Sequence, residues 1–125
     1  MILIDTSVWI EFFKQNPGFV DEVILLLESR MVITIEPVFS ELLYGAKGEK
    51  EKKIIMAYWK TLTRILFKEG SFIECAEFAN LNNYQNLGIG LMDAIICKAA
   101  IQNGYKLWTL DKRIINSIDK EVLYK

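Results

Sequence analysis

Histidine is absent from all 125 residues, and that absence excludes more chemistry than any other feature of the chain. Ser-His-Asp and Cys-His nucleophilic sites, histidine-based acid–base nucleases and nearly all catalytic zinc sites need an imidazole. Whatever chemistry occurs here falls to carboxylates, hydroxyls, Lys and Arg, with or without a hard cation. Cysteine is scarce as well. Cys75 and Cys97 form no CxxC or finger-like spacing, which fits a reduced, cytoplasmic setting, with Cys97 in the core of AIICKAA. Long apolar runs are also missing. Stretches such as VILLL at 23–27 fall far short of the roughly 20 residues of a spanning helix, so no membrane segment is expected. The amino end carries Asp5 early and lacks the basic n-region of a secretory leader.

What is present reads as a globular chain. Hydrophobic residues make up 52% and charged residues 25%, and the length suffices for one core but not two, predicting a single domain over 1–125. Three Trp and seven Phe are rich for a small monomer and hint at apolar surface meant for a partner. Charge is uneven: the net is −5 over residues 1–46, +5 over 47–68 and −1 over 69–125. A near-neutral total argues against binding nucleic acid through bulk charge, yet allows a basic strip beside an acidic pocket.

The predicted order is strand, helices, strand, helices, strand, helix, short strand. MILI at 1–4 reads as a buried strand, followed by a helix that Thr6 or Ser7 can cap and that runs to about Gln15, broken by Asn16-Pro17-Gly18. A second helix is predicted at about 19–30 and a β-branched strand, MVITI, at 31–35. Pro37 suits the first turn of the helix PVFSELLYGAK. The spacing of Ile54, Tyr58, Leu62 and Ile65 predicts one long helix over about 50–68. Another helical segment follows Gly70-Ser71 and ends around Leu87-Gly88, and a short buried helix runs from Met92 to Asn103 with Gly104 as its stop. YKLWTL at 105–110 reads as the third strand and VLY near the end as a short fourth. Strands alternating with helices imply an α/β fold, with a central parallel sheet of about four strands covered on both faces.

Ligands bind such sheets beyond the carboxyl ends of the strands, and acids gather at those exits. The first strand leads into Asp5, the second through Glu36-Pro37 to a helix bearing Glu41, and the third into Asp111. Asp93 lies in the first turn of the buried helix, after Gly88-Ile89-Gly90-Leu91. Each acid alone has a plain explanation as a cap, a turn residue or an exposed helix position. Together they point to a shared cation, because Asp93 and Glu41 sit among apolar sequence neighbours where unpaired charge is costly. Carboxylates about 4 Å apart repel by up to roughly 4 kcal/mol per pair at an effective dielectric near 20. Oxygen-only ligands select Mg²⁺ or Mn²⁺, and such an ion supports hydrolysis of a phosphate ester.

LIDTSVWIEF at 3–12, SELLYG at 40–45, LMDAII at 91–96 and WTLDKRI at 108–114 together resemble a PIN-domain ribonuclease, specifically the toxin of a VapBC-type toxin–antitoxin pair. The resemblance spans nearly the whole chain and implies a PIN-like three-layer sandwich. It implies catalytic roles for Asp5, Glu41, Asp93 and Asp111, with Asp5 and Asp93 as the metal ligands and Mg²⁺ or Mn²⁺ as cofactor. Thr6 or Ser7, and Thr109, match hydroxyls that hold the acids. The implied partners are an RNA substrate, a cognate antitoxin covering apolar surface near Trp9, Phe12 and Phe13, and a second copy in a homodimer.

One position departs from the pattern. Where relatives often carry a further acid two residues after the last Asp, this chain has Arg113, placing a fifth carboxylate and a second metal in question. Arg113 could contact substrate phosphate or screen the acids. Lys53, Lys60, Arg64 and Lys68 fall near one face of the predicted long helix, either a solvated face or a phosphate-contacting rail. Two other readings compete: an aspartate-nucleophile phosphatase using Asp5, which would want an acid where Ser7 stands, and a receiver-like or inactive Mg²⁺-binding module.

Overall fold

The computed structural model describes residues 1–125. Its four strands are β1 (Ile2–Ile4), β2 (Val32–Thr34), β3 (Thr63–Arg64) and β4 (Lys106–Trp108). They form one all-parallel sheet in the order β3-β2-β1-β4. Ile2 pairs with Val32 on one side and Lys106 on the other, and Leu3 with Ile33 and Leu107. Every residue of β1 and β2 is buried, as a strand covered by helices on both faces requires. That is why these segments read as unbroken β-branched and aliphatic runs rather than alternating ones.

Seven helices flank the sheet: α1 (Thr6–Phe13), α2 (Pro17–Glu28), α3 (Glu36–Tyr44), α4 (Glu49–Thr61), α5 (Ser71–Leu81), α6 (Leu91–Asn103) and α7 (Lys112–Ser117). Local chemistry sets their ends. Asn16 caps α2 through a 3.1 Å bond from the Gly18 N–H, with Pro17 in the first turn. Gly104 closes α6 at φ +68°, a left-handed value that glycine adopts without steric cost. α1 packs on α2 and α3, α3 on α4 and α6, and α6 on α5 and β4. Trp9 joins the first set: its ring lies 5.4–5.9 Å from those of Phe12, Phe13, Phe39 and Tyr58. One cluster of 28 buried residues forms the core. No helix is long and apolar enough to cross a membrane.

The region after residue 60 departs from the sequence expectation. The long helix predicted to residue 68 ends at Thr61; Leu62 turns extended (ψ 143°) and Thr63–Arg64 joins the open edge of β2. The Ile65 N–H completes that pairing at 2.9 Å from the Thr34 carbonyl. Backbone pairing at an otherwise exposed sheet edge outweighs the helical spacing. The buried face of α4 is accordingly set by Ile55, whereas Ile54 is exposed. The four-residue basic strip therefore dissolves: only Lys53 and Lys60 remain on α4, and Arg64 stacks over Trp59 at 4.0 Å. The helical segment expected to reach Leu87-Gly88 stops at Leu81 and is followed by a separate 3₁₀ turn over Tyr84–Leu87. The short final strand is a single parallel bridge, Leu107 to Leu123, beside β4.

Candidate active site

The chain enters the sheet at β1, winds outward through β2 and β3, then crosses back to β4 on the other side of β1. The winding direction reverses between β1 and β4, and a crevice opens beyond the carboxyl ends of strands at such a point. Asp5 stands at this place. Its N–H donates to the Trp108 carbonyl at 2.9 Å, tying the two strand exits together.

Asp5 is both a helix cap and the best-supported acid of the site. It is 6% exposed and caps α1 by accepting the Thr6 N–H at 2.8 Å on Oδ1. Oδ2 accepts from Ser7 Oγ at 2.9 Å and from Thr109 Oγ1 at 2.7 Å. Each hydroxyl is itself positioned by an amide: Leu110 N–H donates to Ser7 Oγ and Asp111 N–H to Thr109 Oγ1, both at 3.1 Å. The cap expected at Thr6 or Ser7 is thus Asp5, which frees the two hydroxyls. Ser7 holds Asp5, and Thr6 Oγ1 donates to Glu41 Oε1 at 2.8 Å.

The other acids differ from Asp5 and from one another. Glu41, on α3, is exposed rather than enclosed by apolar side chains as its sequence neighbours suggested. On a helix only part of the circumference faces the core, so Leu42 is buried and Glu41 is not. Asp111 caps α7 and accepts from Arg113 three times: the backbone N–H at 2.9 Å and Nε at 3.4 Å on Oδ1, and Nη2 at 3.3 Å on Oδ2. Asp93, in the first turn of α6, is half-buried. Its carboxyl is pushed up to about 6, first by burial and then by the charges of Asp5, Asp111 and Glu41, with Arg113 opposing. No donor hydrogen-bonds it.

The charges of Asp5, Asp111 and Glu41 thus all act on Asp93, and these are the four acids that the sequence reading singled out. They do not stand as a closed cage: no three of the chain's Asp, Glu and Cys side chains form a group ready to hold a metal ion. The chain's own donors draw Glu41 toward Thr6 and Asp111 toward Arg113. The donor set still fits a hard cation. It is all oxygen, and Asp93 is an unpartnered carboxylate among like charges, which a divalent ion relieves. The buried Cys97 thiol is pushed up to about 12, chiefly by burial and then by Asp93, Asp5 and Asp111. At neutral pH such a buried thiol is protonated.

Sequence reasoning missed Gly88. It sits at φ +76°, and a Cβ there would lie 3.2 Å from Arg113 Cδ. The only sequence signal was a glycine pair, Gly88 and Gly90, just ahead of α6.

A family model described as the PIN domain matches residues 2–121. Among solved structures, VapBC2 from Rickettsia felis, bound to a DNA fragment from their promoter, aligns with a TM-score of 0.75 at 19% identity, covering 98% of this chain and 96% of that one. VapBC-1 from nontypeable Haemophilus influenzae aligns at 0.66 and 21% identity, covering 93% and 94%. FitAcB from Neisseria gonorrhoeae aligns at 0.62 and 20%, covering 94% and 92%. At such identities the likeness speaks for the fold alone. No curated protein sequence matches the chain. The family match takes in all four strands and the segments bearing Asp5, Glu41, Asp93 and Asp111, and the chain belongs to the PIN domain family.

Proposed function

We propose that residues 1–125 form one nuclease domain, a Mg²⁺- or Mn²⁺-dependent endoribonuclease that serves as the toxin of a toxin–antitoxin pair. The observation that carries the reading is the Asp93 carboxyl, raised to about 6 by burial and three neighbouring acids with no donor to relieve it. Asp5 and Asp93 would hold the ion. When bound, a divalent cation lowers the pKa of a water molecule and neutralises charge at a phosphoryl centre. Asp5 is held in one orientation by three donors at 2.7–2.9 Å, so little reorganisation is needed at that ligand. Glu41, exposed and anchored through Thr6, orients water and substrate from the α3 side. Asp111 does so from the α7 side.

The similar structures include VapBC2 and VapBC-1, and this chain has a surface suited to an antitoxin partner. A cleft of about 870 Å³ is lined by Ile10, Phe13, Val20, Ile24 and Ile54, with Glu41 at its rim. An antitoxin segment seated there would lie beside the acidic crevice. Leu66 and Ile73, 83% and 75% exposed, support a homodimer on another face.

The test is incubation of the purified chain with total RNA, with Mg²⁺ or Mn²⁺ and with EDTA, alongside Asp5→Asn. Cleavage that needs the divalent ion and disappears in Asp5→Asn is expected. A fully active Asp5→Asn chain, or cleavage that survives EDTA, overturns the assignment. Absence of cleavage with any divalent ion favours the inactive binding module. Trapping a phosphoenzyme on Asp5 would favour the phosphatase, although both oxygens of Asp5 are already engaged by the chain's own donors.

A further inference from the structure

Arg113 brings a positive charge beside the acids: it pairs with Asp111 and its charge also acts on Asp93. Nε and Nη2 reach the two oxygens of Asp111 at 3.4 and 3.3 Å, while the Arg113 N–H holds Oδ1 at 2.9 Å. Behind the side chain, Gly88 leaves room: a Cβ there would come within 3.2 Å of Arg113 Cδ and 3.9 Å of Nη1. Thr109 Oγ1 fixes the Asp111 backbone from the opposite side. Asp111 thus presents both oxygens to a cation belonging to its own chain. Asp5 differs, since its donors are one amide and two neutral hydroxyls. Asp93 has no donor at all.

A dication shared between Asp111 and the other acids would stand beside a guanidinium that is permanently charged. It would also have to displace bonds to both Asp111 oxygens. Between Asp5 and Asp93 both obstacles are weaker. The donors on Asp5 are one amide and two neutral hydroxyls, and Asp93 has no donor. Arg113 acts on Asp93 only through its charge and not by a direct ion pair. We propose that Arg113 is a built-in counterion that takes the place of a second divalent ion, limiting this chain to one, held by Asp5 and Asp93. The inference rests on the cation-binding part of the nuclease reading and is independent of which polymer is cut.

The experiment counts Mn²⁺ bound per chain, by calorimetry and by the electron paramagnetic resonance of free Mn²⁺, with circular dichroism confirming the fold of each variant. The unaltered chain is expected to bind one ion. Arg113→Gln should bind two, the second at least ten times more tightly than any further ion on the unaltered chain. Arg113→Lys keeps the charge and should remain at one. Asp111→Asn should retain its single ion, and this variant decides the matter should Arg113→Gln fail to fold. Two comparable ions on the unaltered chain, a folded Arg113→Gln still limited to one, or loss of the ion in Asp111→Asn each overturn the proposal. RNA cleavage measured in parallel separates the two readings. One bound ion without cleavage counts against the nuclease and leaves the counterion role standing, whereas no Mn²⁺ bound at all removes both.

Discussion

The charge of Asp5 acts on Asp93, yet the chain supports the two acids in opposite ways. Asp5 is almost fully buried yet accepts three hydrogen bonds from the chain. Asp93 is only half-buried and accepts none. A carboxylate with donors is a settled structural element, and one without donors among like charges is a standing electrostatic cost. The difference teaches that a fold this small treats two acids in opposite ways: one carboxylate is built into the framework, and the other finds no partner within the chain.

The largest effect should come from the settled side. Asp5→Asn should abolish metal-dependent RNA cleavage while circular dichroism stays native, because Asn caps a helix about as well as Asp. A variant that unfolds instead would mean that the carboxylate is needed for the framework rather than for an ion.

Asp93→Asn sharpens the contrast from the other side. Burial and neighbouring acids push the Asp93 carboxyl up to about 6 in the folded chain, from an ordinary value of 3.8. Between those two pH values the folded state holds the extra proton, so this group's contribution to stability declines as pH rises from about 4 to about 6. At neutral pH the charged form costs about 1–2 kcal/mol after solvent screening. Metal-free Asp93→Asn should therefore melt roughly 5 °C higher than the unaltered chain at pH 7.5. The gap should close toward pH 4, and the melting-temperature rise on adding Mn²⁺ should vanish. A variant that melts lower at pH 7.5 would show that Asp93 has a stabilising partner.

Thr109→Val removes the hydroxyl that donates to Asp5 and accepts from Asp111. Loss of such a supporting bond is expected to reduce Mn²⁺ affinity or cleavage by roughly 10–100-fold, measured by calorimetry and initial rates. An unchanged affinity would mean that Ser7 and the Thr6 N–H suffice. The smallest effect belongs to the basic helix face. Lys53→Ala with Lys60→Ala should shift stability by no more than about 0.5 kcal/mol, and the salt dependence of cleavage should not change. A flatter salt slope would restore the phosphate rail that the break after Thr61 disperses.

Much of this arrangement was legible before any coordinates. The runs ILI and VIT carry the fully buried signature of central parallel strands, and KLW was legible as the strand that flanks them on one side. The edge strand was not legible. Thr63–Arg64 is only two residues long, too short for an alternating pattern, and the apolar spacing from Ile54 to Ile65 continues through it without interruption. Pairing to β2 is a non-local gain that no window of sequence contains. The same holds for Arg113: its reach to Asp111 depends on how α7 starts, and its seat depends on Gly88, which lies 25 residues upstream. Glu41's exposure was hidden because a helical residue with apolar sequence neighbours can still face outward.

The two hydroxyls on Asp5 carry one more consequence. Each passes along the orientation of a backbone amide, from Leu110 through Ser7 and from Asp111 through Thr109, to the same carboxylate oxygen. The turn that follows β4 and the side chain that ends β1 are therefore fastened at two points, although more than a hundred residues separate them along the chain. Loosening that turn would release the acid, so hydrogen exchange at those two amides offers a direct gauge of how firmly Asp5 is set.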